Sequence, residues 1–163
     1  GIGAVMLYLV MYLFMNLGAF FIVMYVQTKK DGETFDAFSG LGWEMPLVGI
    51  AMTVFMFSLT GIPPTAGFIG KYYLFAAVIK AGPTFYWLAF AGAINSVISL
   101  YYYIRVIRHM YLIGERSESI HVPAMMTSIL ILALAIPTVV LGVYWTPVAD
   151  WVSNSLVFAF PAM

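Results

Sequence analysis

Ser58-Leu59-Thr60-Gly61-Ile62-Pro63-Pro64-Thr65-Ala66-Gly67-Phe68-Ile69-Gly70-Lys71-Tyr72-Tyr73 is the stretch on which the reading of this chain turns. It lies inside an apolar run over residues 46–81, interrupted by Lys71 and by Gly61-Ile62-Pro63-Pro64. One unbroken helix of that length would measure about 54 Å at 1.5 Å per residue, against a hydrocarbon core of about 30 Å. The run must break. Pro64 would remove a backbone donor and clash with the preceding turn, while the proline that follows Pro63 drives it out of the helical region. The expectation is a pair of half-helices broken at Pro63-Pro64 and hinged at Gly61, Pro63, Pro64 and Gly67, with Gly70 adding room.

Working outward, the composition says which solvent this chain meets. Of 163 residues 63% are hydrophobic and 9% charged, and the mean hydropathy is +0.98. Soluble domains are about 45–50% apolar and about 25% charged. A chain this small has too little interior to hide so much apolar surface from water. The fold class is therefore all-α, a polytopic membrane helix bundle. Three further windows approach the roughly 20 apolar residues a span needs, over residues 4–26, 84–104 and 124–145. Four spans result, the second discontinuous, in a single membrane domain over residues 1–163. Pro123 suits the first turn of the last span, Pro137 should kink it, and residues 147–160 read as a short interfacial helix. The chain opens on Gly1 within an apolar run, without the basic segment of a secretory signal, and reads as a fragment of a longer protein.

Loop charges settle whether the broken run crosses once or twice. With one crossing, Lys29, Lys30, Arg105, Arg108 and Arg116 share a side and Lys80 stands alone on the other. With two, the same residues divide evenly. The positive-inside rule selects one crossing, with loops 27–44 and 105–121 cytoplasmic. Trp43, Trp87, Tyr101 to Tyr103, Trp145 and Trp151 fall near the expected span edges, where amphipathic rings are enriched.

Lys71 is the residue with most to say. It lies about two turns past the break, near mid-membrane, where a charge costs at least about 2.5–3.5 kcal/mol on insertion scales. Such a group faces a polar cavity or a partner, and its default reading is functional; the structural alternatives are snorkelling to the interface and a static ion pair. Snorkelling fits Lys80, at a helix end. Burial can bring a lysine's normally fixed charge into the physiological range, so Lys71 is the candidate proton-relay residue. Moving one charge against 150 mV costs about 3.5 kcal/mol, a swing of about 2.5 pKa units. The ends of the half-helices beside it offer backbone groups that bind ions and orient water. Tyr12 with Asn16, and Asn95 with Ser99 beside Ser96, each fall four residues apart and form a candidate polar lane, with helix–helix hydrogen bonding as the alternative.

Several chemistries are excluded or disfavoured. Seven basic residues balance seven acidic ones, which gives nucleic acid no electrostatic hold. The chain lacks cysteine, so thiolate metal and iron–sulfur ligation are ruled out. His109 and His121 lie in the basic loop without ligands at metal spacing, and read as solvated. A phosphate-loop reading of Gly67 to Lys71 fails, because Thr65 and Tyr72 stand where glycine and Ser/Thr are required. No Ser, His and Asp set points to a hydrolase, and the eleven methionines read as helix-interface filler.

The motif around Pro63-Pro64 resembles that of the antiporter-like membrane subunits of proton-pumping NADH:quinone oxidoreductase, respiratory complex I, and within them the subunit N group. Residues 12–20 and 95–103 extend the likeness. The resemblance implies a larger subunit of fourteen spans, built from two inverted repeats, of which this chain would be spans eleven to fourteen. It implies that Lys71 is the lysine of the second broken helix, that other relay positions have no counterpart here, and that the chain takes part in proton translocation as a non-redox subunit. Flavin, iron–sulfur clusters and quinone would belong to partner subunits, with no cofactor or metal here. Partners would be other membrane subunits, including neighbouring antiporter-like ones, and the lipid bilayer of a bacterial inner membrane. The rival readings are a sodium/proton antiporter subunit and a structural membrane anchor.

Overall fold

The computed structural model describes residues 1–30, 34–114 and 120–159. Among these there is no strand. The helices are α1 (Ile2–Lys30), α2 (Leu41–Glu44), α3 (Pro46–Thr60), α4 (Ala66–Lys80), α5 (Tyr86–Leu112), α6 (Met125–Val143) and α7 (Thr146–Ala159), with 3₁₀ turns at Phe35–Phe38 and Pro83–Phe85. Three helical segments, Ile2–Lys30, Pro83–Leu112 and Met125–Val143, are long and apolar enough to cross a bilayer. At 15 residues each, α3 and α4 are about 22 Å long, too short to cross alone.

Their packing shows that they cross together. Phe55 of α3 lies against Gly18 of α1, Ser58 reaches Met15, and Gly70 of α4 lies against Tyr8 and Met11. As the number on the broken pair rises, the partner on α1 falls, without reversal across the break. The same order holds on α5, where Tyr111 packs on Gly42 and Gly49, Ser96 meets Lys71, and Gly92 meets Phe75. Two helices that recrossed would have turned this sequence back on itself. The expected discontinuous span is thus present, and the break lies near the middle of α1.

Glycine makes the close approaches. A Cβ on Gly18 would stand 2.2 Å from the Phe55 ring, and one on Gly70 2.9 Å from Tyr8. Of the methionines, Met11, Met15, Met45, Met52, Met56 and Met110 are buried between helices, as interface filler should be.

The ends of the bundle depart from the expected loops. Residues 27–44 are not a plain loop, since α1 continues to Lys30, and Phe38 and Leu41 are buried. Phe35–Glu44 is bent from α3 by 118°, laying these side chains under the helix ends, where apolar burial outweighs loop freedom. Residues 105–112 also belong to helix α5. Arginine is a good helix former whose long stem lets the charge reach polar surroundings, so Arg105 and Arg108 do not end the helix. His109 is likewise helical, its ring against Phe35 and its Nδ1 on the Arg105 carbonyl. Pro123 precedes the N-cap Ala124 rather than opening the first turn, and its carbonyl accepts from the Ser128 hydroxyl. Pro137 sits inside an unbroken α6.

The cations segregate as one crossing requires. Lys30, Arg105 and Arg108 lie at the end where Lys30 pairs with Glu44 at 2.6 Å and His121 donates its backbone N–H to the Glu44 carbonyl, and Lys80 closes α4 at the opposite end. Arg116 lies outside the described residues.

Candidate functional site

The break is built by a glycine, two prolines and two side chains that reach across the gap. Gly61 ends α3 in the left-handed region at φ 90°, a conformation that is strained for any residue with a Cβ. Its N–H, with that of Ile62, closes on the carbonyls of Phe57 and Ser58. A helix leaves four carbonyls unpaired at its C-terminus. The remaining two, Leu59 and Thr60, accept from Lys71 Nζ at 3.0 and 2.8 Å.

Lys71 donates its third hydrogen bond to Ser96 Oγ on α5, at 3.2 Å. An ammonium carries three donors, and here each has an acceptor. Ser96 in turn donates to the Gly92 carbonyl at 3.0 Å. Lys71 therefore caps the negative end of the α3 dipole from two turns along α4, because helical side chains lean toward their own N-terminus. The charge lies at the level of the break itself.

The N-terminus of α4 is held by Ser58. Its fully buried hydroxyl accepts from the Gly67 N–H at 3.0 Å and donates to Met15 Sδ at 3.2 Å. Only glycine permits the approach, since a Cβ on Gly67 would lie 1.7 Å from the Ser58 carbonyl oxygen. Gly142 of α6 closes the other side, where a Cβ would fall 2.0 Å from the Pro64 carbonyl oxygen. Pro63 and Pro64 themselves are exposed.

A cavity of about 330 Å³ opens beside Lys71, and Tyr12, Asn95 and Ser99 all line it. Three of the four expected lane residues therefore converge on the lysine. Asn16 does not; it lines a separate cavity of about 400 Å³, which shares Tyr12, Leu59 and Tyr103 with the first. The hydroxyl that touches Lys71 belongs to Ser96, and the sequence reading had set it only beside the lane. Tyr8 and Tyr103, which also line the cavity, were missed, as were Ser58 and Gly142. The signal for the tyrosines was at hand: Tyr8, Tyr12 and Asn16 fall on one helix face, as do Asn95, Ser99 and Tyr103. Nothing in the sequence marked Gly142, whose neighbour is set by tertiary packing. Among the described residues no group of acidic, histidine or cysteine side chains could hold a metal ion.

The chain that carries this break has similar counterparts among known proteins. Residues 1–99 match the profile of a family described as NADH:quinone oxidoreductase/Mrp antiporter, TM. The chain is 54% identical over 159 residues to NADH-quinone oxidoreductase subunit N 2 of Sorangium cellulosum, covering 96% of this chain and 31% of that one. It is 36% identical over 170 residues to F(420)H(2) dehydrogenase subunit N of Methanosarcina mazei, covering 98% and 34%. Its fold superposes on a chain of respiratory complex I from Thermus thermophilus with bound aureothin at a TM-score of 0.70 and 29% identity, over 88% of this chain and 34% of that chain. The chain spans about a third of the length of these relatives. With the family motif at the break and this agreement along its length, the chain belongs to the NADH:quinone oxidoreductase/Mrp antiporter transmembrane family.

Proposed function

We propose that this chain is a proton-translocating segment of a subunit N-type membrane subunit of NADH:quinone oxidoreductase, with Lys71 as the group that takes up and releases the proton. The observation that carries the proposal is the placement of Lys71 Nζ on the two carbonyls left open by the break, beside a cavity rich in hydroxyl and amide groups. When protonated, the amine caps the α3 dipole with three donors. On deprotonation it loses one donor and gains a lone pair, so its hold on the severed end weakens as the proton leaves. Charge on the lysine and closure of the break are thereby linked. Tyr8, Tyr12, Asn95, Ser99 and Tyr103 supply polar partners for water beside it.

The names of the relatives support a role apart from redox chemistry. Proteins named for NADH and for F(420)H(2) match this segment alike, which fits a transport function indifferent to the electron donor. We assign no redox group to this chain; flavin, iron–sulfur clusters and quinone go to partner subunits. The partners are other membrane subunits of the complex, antiporter-like ones among them. In this reading residues 1–163 form one membrane domain equivalent to spans eleven to fourteen, in a bacterial inner membrane with the Lys30 and Arg105 end cytoplasmic. The family description also covers Mrp antiporters, which favours sodium/proton exchange as the second reading.

The test is proton uptake per NADH oxidised in vesicles carrying the whole complex. Lys71→Ala removes most of the uptake. Lys71→Arg keeps the cation and its donors but cannot deprotonate, so it should assemble normally and still fail to pump. Normal pumping by both variants overturns the proposal. Loss of assembly in Lys71→Ala with full pumping in Lys71→Arg identifies a static anchor. Collapse of uptake on removing sodium would favour the antiporter reading.

A further inference from the structure

Lys71 borders two cavities, and the geometry points to Phe75 as a gate between them. On one side is the polar cavity of about 330 Å³. On the other is a groove of about 610 Å³ between α4 and α5, lined by apolar side chains such as Phe68, Ile79 and Ala93, with Lys80 at its far end. Three residues are common to both: Lys71, Phe75 and Ser96. They form two rungs across the α4–α5 seam. The first is the Lys71–Ser96 hydrogen bond. The second, one turn nearer Lys80, is the Phe75 ring against Gly92, where a Cβ would lie 3.0 Å from the ring edge.

Lys71 and Phe75 are four residues apart on α4, as are Gly92 and Ser96 on α5, so each pair shares a face. Water moving across this seam from the polar cavity into the groove meets one of these two rungs. An apolar ring seated in a glycine notch excludes water until it rotates, as hydrophobic constrictions do in channels. Gly92 gives the ring its seat without pinning it, because no side chain there overlaps the aromatic plate. Phe75 thus decides when the polar cavity beside Lys71 is connected to the groove that leads to the Lys80 end of the bundle. The inference rests on the proposed role of Lys71 for its biological meaning, though the gate itself is measurable without it.

This chain has no native cysteine, which makes thiol labelling a direct test in the whole complex, once any accessible cysteines elsewhere in it have been masked. Asn95→Cys places a thiol in the polar cavity, and Ala93→Cys places one in the groove. A membrane-impermeant methanethiosulfonate applied at the Lys80 side should label position 93 readily and position 95 slowly. Adding Phe75→Ala should raise labelling at 95 by about tenfold or more, equivalent to about 1.4 kcal/mol of lost closure, with position 93 unchanged. Phe75→Leu, which keeps bulk but not the plate, should give a smaller rise, and serves if the alanine variant assembles poorly. Equal labelling at 95 with and without the ring, in either assembled variant, overturns the gate. Because the readout is accessibility, a failed gate is distinct from a failed Lys71 reading, which the pumping variants report.

Discussion

Two apolar helices of this bundle carry proline, and they respond in opposite ways. At Pro63-Pro64 the chain parts into α3 and α4 with five residues between them, whereas α6 runs through Pro137 without interruption from Met125 to Val143. A single proline forfeits one backbone hydrogen bond and crowds one carbonyl, a loss that neighbouring helices can absorb. Two in succession exclude the helical conformation at the first. The larger difference lies in what receives the severed ends. Around residues 61–65 a left-handed glycine turns the chain, Lys71 takes the open carbonyls, and Ser58 takes an open N–H. Near Pro137, among the described residues, the Thr138 hydroxyl donates to the Leu134 carbonyl at 2.8 Å, a back-bond within the same helix. A proline supplies a weak point; the surrounding side chains decide whether it becomes a site.

The contrast breaks most severely where backbone meets backbone. Gly67→Ala would set a methyl 1.7 Å from the Ser58 carbonyl oxygen, and Gly142→Ala one 2.0 Å from that of Pro64. Overpacking commonly costs about 1–3 kcal/mol, and backbone yields less than a flexible side chain. Both variants should lose most assembled complex from membranes on native gels, while Gly82→Ala, where no atom lies within 4 Å but φ is 109°, should keep far more. Equal abundance of Gly67→Ala and wild type would mean that the half-helices do not meet as described.

Next in size is Ser58→Ala, which strands the Gly67 N–H beneath the break. An unsatisfied buried donor costs about 1–3 kcal/mol. The expected result is a complex that assembles but melts at lower temperature, with faster amide exchange at Gly67 than at Ile69. Unchanged exchange would show that Ser58 is packing rather than a cap.

The sequence revealed the break, the lysine, four spans and a single crossing, because proline, charge and hydropathy act within a few residues of where they stand. It misread what depends on distant partners. Residues 27–44 read as a charged loop, yet Phe38 and Leu41 are buried, and only the tertiary contacts of Gly40 and Trp43 with α5 explain why. Arg105 and Arg108 marked the end of polarity tolerance, not the end of a helix. Asn95 and Ser99 were chosen over Ser96 because they pair at four-residue spacing. Which of these three side chains, all within about one turn of α5, points at Lys71 is set by the rotation of the helix about its axis, and composition does not encode that.

Pro137→Ala sharpens the comparison from its quiet side. The substitution returns one N–H to α6, a net gain of about 0.5–1.5 kcal/mol for a typical hydrogen bond, and removes a ring that is only partly buried. If the severed ends at residues 61–65 matter because charged and polar groups receive them, restoring a bond at Pro137 should raise the melting temperature slightly and leave proton uptake per NADH unchanged. The continuous α6 has no severed carbonyls and no lysine seated on them. A loss of uptake approaching that of Lys71→Ala would mean that flexibility at Pro137 is itself used, transmitted to the site through Gly142 five residues further along α6, and would place two moving helices where the present geometry needs one.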